Sequence, residues 1–432
     1  MKLFLVFLSL FIFSCSTDKD KKVDLEIFKK QGEKINVFEA NNVFDKEVDS
    51  RIVLQLNQPQ INKKWSYEHF SSNNFYDHLV YEGKFQDIFK KNIGDYINKN
   101  NDSGSLLVFE NFVFFSDEKG KIYKFDTNGQ KIIWELKIYE SSYNNYPKNI
   151  ALFLNDDVLF AADNLGFIYS IDAQTGKTIW QQNYGIPFSS HLNFHKGILY
   201  VVNQNSRLYA FNPLDGQKIW SFESLSGLIK PSRSSNISLY DNKLLFSNDV
   251  GDITAIDLNQ QVITWTKNIL SQNSISNNLV FKISNILIDK KDVYVSSNSG
   301  DLFNLNLETG EIKWSQKLSS IQNHISSDKY LFVLTENGFV IAFNKINGTI
   351  LWSLNLTKLS KNNKTTLDYY GLLLASNNLY ATSSNGDIYK ISANDGKYIS
   401  HKKINNDLSR APIIVDNKLL ILNRSSELII LN

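Results

Sequence analysis

The residues able to do chemistry are few. The chain has 432 residues, six histidines and one cysteine, Cys15. Two of the histidines are close in sequence, as His191-Leu-Asn-Phe-His195. On a helix that spacing would put both imidazoles on one face, as a metal pair requires. In a strand the two lie about 13 Å apart at about 3.3 Å per residue, too far for one ion. Their neighbours are strand-like, so they are expected to be ordinary polar histidines. His69, His78, His324 and His401 are scattered. G-x-S-x-G, P-loop and H-E-x-x-H patterns are absent from the sequence, so no nucleophile elbow, phosphate cradle or zinc helix is signalled. A single cysteine cannot form an internal disulfide, a cysteine-rich zinc site or an iron–sulfur cluster. No catalytic residue, no metal and no cofactor are expected.

That one cysteine has a context. Lys2 precedes an apolar run, Leu3 to Phe13, which is too short to span a bilayer and has the form of a signal segment. The run ends in Ile12-Phe13-Ser14-Cys15, the form of a bacterial lipobox, so Cys15 is the expected lipidation site. Phe13 stands where a smaller residue is commoner. Residues 1–15 are thus read as a lipoprotein signal peptide and 16–60 as a tether. The tether opens on the charged run STDKDKKVDLEIFKKQGEK. A lipid anchor would hold the chain to a membrane without a spanning helix.

Composition bounds the remainder. Lys+Arg 46 against Asp+Glu 44 gives a net charge of +2, which makes no electrostatic case for nucleic acid. The 42% hydrophobic and 13% aromatic content is that of a folded core, not of a disordered chain.

Residues 61–432 read as one unit repeated eight times. The clearest copy is Gly166-Phe-Ile-Tyr-Ser-Ile-Asp172-Ala-Gln-Thr-Gly176-Lys-Thr-Ile-Trp180. Its front half opens at Gly120, Gly166, Ser206, Gly251, Gly300, Gly338, Gly386 and Ser426. Its back half closes at Trp134, Trp180, Trp220, Trp265, Trp314 and Trp352, with Ser400 in a seventh copy. Gly176, Gly216, Gly310 and Gly348 each stand four residues before a Trp; Gln261 replaces that glycine in the fourth copy, and Gly129 lies one residue further away in the first. Residues alternate apolar and polar as in strands, and Asp-x-x-Thr-Gly is a turn in which glycine supplies positive φ. Four strands in some 40–45 residues is the size of a propeller blade. The last unit stops at its turn, Asn432, while Trp65 stands alone upstream. The expectation is an all-β, eight-bladed propeller of four-stranded blades, its ring closed by an N-terminal strand near Trp65.

The unit from Asp172 to Trp180, and its variant from Leu305 to Trp314, resembles the PQQ-like propeller repeat. Lipobox, tether and eight such units together resemble the BamB lipoproteins of the outer-membrane β-barrel assembly (BAM) complex. The resemblance implies that Trp65, Trp134, Trp180, Trp220, Trp265, Trp314 and Trp352 dock one blade on the next. It implies a non-catalytic scaffold, lipid-anchored at the periplasmic face of the outer membrane. Its partners would be a BamA-like barrel subunit and unfolded outer-membrane proteins offered strand edges. The family's partner site lies on two inter-blade loops, one with a Leu/Arg patch and one acidic. Leu228, Ile229, Lys230 and Arg233 match the first loosely; Phe281-Lys282-Ile283 stand where the acidic patch would be. The alternative is a quinoprotein (PQQ)-type dehydrogenase or a ligand-binding periplasmic propeller. Those dehydrogenases are larger and usually set their calcium site beside a disulfide of adjacent cysteines. Here Asp126, Asp172 and Asp257 sit at repeated turn positions where a turn role suffices.

Overall fold

The turn residues dictate the blade. In the computed structural model, Ile150–Asn155, Val158–Asp163, Phe167–Asp172 and Thr178–Asn183 pair in succession as one antiparallel sheet. The Asp163 carboxylate accepts the N–H groups of Leu165 and Phe167, both at 2.9 Å, and folds the chain between the second and third strands. Gly166 completes that turn at φ +89°. The equivalent position has positive φ in every unit, including Ser206 at 57° and Ser426 at 54°. The third strand is almost wholly buried, whereas the outer strand alternates exposed and half-buried residues.

The structure describes residues 44–50, 52–95, 105–228, 235–270, 280–359, 367–404 and 408–432. The signal segment, Cys15 and most of the tether lie outside them. The described strands form eight sheets, one per blade. Inter-blade connections and the turns between second and third strands share one end of the ring, here the loop face. The other two turns of each blade share the opposite, turn face.

An N-terminal strand does close the ring, but it is not the one at Trp65. Asp87–Asn92 pairs with Glu427–Leu431 and supplies the outer strand of blade 8. Phe89 stands opposite Ile430, the register that Trp180 holds opposite Ser170. A phenyl ring thus fills the indole's place, packed 5.9 Å from Phe125 of blade 1. Lys64–Trp65 instead adds a fifth, innermost strand to blade 1, with Trp65 opposite Val108. Every blade's outer strand carries a register shift at its bulge, in blade 8 between Asp87 and Phe89. Such bulges blunt strand edges against outside pairing.

Blade-to-blade contact centres on the indoles. The Nε1–H of Trp134, Trp180, Trp265, Trp314 and Trp352 donates to Ala173, Pro213, Leu307, Lys345 and Ala393 in the turn of the following blade, at 2.8–3.2 Å. Their rings lie against Gly176, Gly216, Gly310, Gly348 and Gly396, where an added Cβ would come within 2.5–2.7 Å of the indole. These glycines have φ of +69 to +73°, so both conformation and space demand glycine. Blades 1 and 4 place Gln130 and Gln261 there, at φ 52° and 56°. In the first copy it is therefore Gln130, not Gly129, that takes the turn position. Trp220 packs against the core between blades 3 and 4 and, among the described residues, makes no such bond. Trp65 does not dock on a neighbouring turn: it is buried on the ring axis against Phe70 and Tyr76, at 4.9 and 5.9 Å.

The remaining N-terminal chain straps and plugs the ring. Phe44 packs edge-on against Phe339, and Val48 bridges Ser353 on the outer strand of blade 6. Leu54 N–H donates to Asn394 at the turn face. Residues 60–81 then circle the axis, bonding the far ends of inner strands. Leu154 N–H donates to Ser66, Leu239 to Ser72, Ile288 to Asn73 and Asp416 to Asn62. The Asn74 amide donates to Ile237 and Ile286. His78 donates through Nδ1 to Asn57 O and accepts the Asn377 N–H at Nε2, which fixes it neutral; burial lowers its pKa.

Two measurements check this account. Gly348→Ala should destabilise the protein by about 1–3 kcal/mol in denaturant melts, since its methyl group would strike Trp314 at a strained φ. Asp163 is buried and accepts the Tyr139 hydroxyl at 2.5 Å; burial raises its pKa from 3.8 to about 6. Its folded pKa lies above its unfolded one, so its contribution is full below pH 3.8 and is lost as pH rises through 6. Asp163→Asn keeps the turn, as Asn203 does in blade 3. Relative to that variant, the parent should lose about 1.4 kcal/mol per pH unit between these values. Parallel pH dependence of the two proteins would contradict the assignment.

Candidate docking face

The loop that follows blade 3 leaves its outer strand, Lys218–Glu223, at the loop face. Blade 4 clamps it. The Asn248 amide donates to Ser224 Oγ at 3.0 Å and to Leu225 O at 3.1 Å. The buried Asp249 carboxylate accepts Gly227 N–H at 2.9 Å, Ser206 Oγ at 3.2 Å and Ser226 Oγ at 3.3 Å. Both clamping residues belong to the turn between the second and third strands of blade 4, where Asn248 also accepts Asp252 N–H at 2.7 Å. The backbone of 224–227 is thereby fixed on a rigid blade.

Fixing that backbone turns two leucines outward. Leu225 is 73% exposed and Leu228 102% exposed. Leu228 is therefore not part of the core. Beside the loop a cavity of about 690 Å³ opens between blades 3 and 4, lined by Phe222, Leu225, Thr254 and Ile263 among others. It lies at the junction where Gln261 replaces glycine and Trp220 lacks its bond. Arg207 pairs with Glu223 at 2.5 Å on the loop's near side. Ile229, Lys230 and Arg233 lie outside the described residues.

On the next inter-blade connection Lys282 is exposed, while Ile283 is buried and bridges Ser297. Lys282 N–H donates to Asn298 Oδ1 at 2.9 Å. The region matched to an acidic patch is thus basic and apolar. Leu225, Asn248 and Asp249 were not singled out from sequence. The signal available was an Asn-Asp pair at the turn that follows the second strand of blade 4, two strands beyond the loop.

The histidine pair divides between two settings. His191 is buried at the axis with its ring edge-on to His69, 4.8 Å between centroids. His195 ends the strand Asn193–His195, its pKa lowered by burial and by Lys196. His324 is buried beside Ser296 Oγ at 3.0 Å, and burial pushes its pKa down to about 3. Among the described residues no three His, Cys, Asp or Glu side chains are grouped to hold a metal ion.

Comparison with known proteins gives consistent likenesses. The family model for outer membrane protein assembly factor BamB matches residues 118–354. The BamB of Yersinia pestis is 22% identical over 233 residues, 53% of this chain and 57% of that protein. The BamB of Escherichia coli K12 is 24% identical over 183 residues, 40% of this chain and 43% of that one. The chain thus spans about half the length of the curated relatives it matches. Among solved structures, BamB from Moraxella catarrhalis superposes with a TM-score of 0.66 at 14% identity, over 80% of this chain and 99% of that one. A europium-containing methanol dehydrogenase gives 0.67 at 12% identity, over 83% and 89%. These structural likenesses establish the fold alone. The family model covers more than half of a chain whose eight blades carry the same repeat, and the chain belongs to the outer membrane protein assembly factor BamB family.

Proposed function

We propose that this protein is a non-catalytic scaffold subunit of the outer-membrane β-barrel assembly complex. It is lipid-anchored through Cys15 at the periplasmic face of the outer membrane. It holds a BamA-like barrel subunit through the loop after blade 3. The single observation that carries the docking site is a pair of exposed leucines, Leu225 and Leu228, on a loop clamped by Asn248 and Asp249. Apolar side chains presented on a pre-ordered backbone lose little entropy on binding, which is the condition for a hot spot. Family membership and the names of the relatives support the assembly role. The likeness to a dehydrogenase is one of fold and carries no activity. Unfolded outer-membrane proteins are a weaker partner proposal, because a bulge interrupts each outer strand and Val48 covers part of the blade 6 edge.

The test is affinity capture from mild-detergent outer membranes with a photo-crosslinker at Leu228. The expected product joins Leu228 to the BamA-like subunit, with none from Ile346, an exposed residue on the turn face. Leu228→Asp should weaken capture by about tenfold or more, as burying a charge in place of an apolar anchor does. Capture of that subunit with crosslinks from Ile346 alone would move the site to the other face. A preparation without any barrel-assembly subunit would overturn the function.

A further inference from the structure

The ring axis holds a funnel-shaped cavity. Trp65, Glu68, His69 and Tyr76 of the N-terminal plug line its inner end, and its walls are the starts of the inner strands at the loop face. Its volume is about 450 Å³, within the range of small-molecule sites.

Apart from Lys282, its basic residues are not of the usual kind for this chain. Five of the 46 basic residues are arginine: Arg51, Arg207, Arg233, Arg410 and Arg424. Two of those five, Arg410 and Arg424, line this funnel. Lysine serves nearly everywhere else as a solvated point charge, whereas a guanidinium offers a planar fork of donors. Arg424 stands in the blade 8 turn between Lys418–Leu422 and Glu427–Leu431. Its Nε is buried without an acceptor, and among the described residues it forms no ion pair. Ser409, which lines the same funnel, also buries its Oγ without a partner. Buried donors are normally satisfied, so these two point to an acceptor that belongs to a ligand. Glu68, Glu336 and Asp368 line the cavity as well. A dianionic phosphate would meet three carboxylates there. A single carboxylate matches the fork and carries one charge.

We propose that the funnel binds a small carboxylate-bearing ligand, such as the C-terminal end of a short peptide, with its carboxylate on Arg424. Ser409 supplies a further hydrogen bond and Arg410 a second positive charge. This site is separate from the docking loop, and its test is independent of the assembly reading.

The experiment is ligand-observed NMR on the detergent-solubilised lipoprotein. The probes are a pool of short N-acetylated peptides ending in a free carboxylate, the same pool amidated, and inorganic phosphate. The free-acid pool should bind and the amidated pool should not. Arg424→Gln should weaken binding by about tenfold or more, the usual effect of losing a charged hydrogen bond. Arg424→Lys should recover part of it, and Ser409→Ala should lower it without a change in melting temperature. Arg207→Gln, on the outer surface, should leave binding unchanged. Equal binding of acid and amide, no binding of the acid, preference for phosphate, or an Arg424→Gln variant that binds like the parent while folded would each overturn the proposal.

Discussion

The indole of one blade lying on the turn glycine of the next is the contact on which the ring rests. It works because glycine has no Cβ: at Gly348 a methyl group would stand 2.7 Å from Trp314. The same turn offers a carbonyl to the indole N–H, so packing and hydrogen bonding are satisfied by one geometry. Five junctions use this arrangement in full. Where a blade departs from it, the ring changes character. Gln261 holds the strained turn of blade 4 without glycine's freedom, Trp220 lacks its acceptor, and the cavity between blades 3 and 4 opens at that junction. The loop with the exposed leucines borders that cavity.

The N-terminal segment has two structural duties that follow from one path. Residues 60–81 satisfy the inner-strand ends around the axis, and residues 87–92 complete the last blade. The chain therefore holds its own ring from inside and at its seam. A propeller without such a segment would have inner-strand donors such as Leu154, Leu239 and Ile288 facing an open channel. With it, the channel has a floor formed by Trp65 and Tyr76.

Much of this was legible in the residues, and the reason is local. Each Gly, Ser or Trp marker sits where φ or close packing allows little else, so eight markers foretold eight blades. The closing strand was not legible, because DIFKKN carries neither the glycine turn nor the tryptophan; Phe89 fills the indole's place without looking like it. Trp65 misled for the converse reason: it is a tryptophan buried by the plug instead of by a neighbouring blade. The plug itself has no periodicity, since it bonds through its backbone and through Asn73 and Asn74 to strands more than a hundred residues away. At the docking face, Leu228 could be placed on a loop from its spacing. Its full exposure depends on the Asn248 and Asp249 clamp, which only tertiary structure brings beside it.

On the proposed reading, the molecule works by holding a few apolar side chains still on one face. The most direct measurement is amide hydrogen exchange with and without the periplasmic portion of the BamA-like subunit. The account predicts that 224–227 exchange slowly for a surface loop in the free protein, because Asn248 and Asp249 hold them. It predicts further protection of residues 222–228 on binding, with the turn face unchanged. Rapid exchange of 224–227 in the free protein, or protection confined to the turn face in the complex, would contradict it.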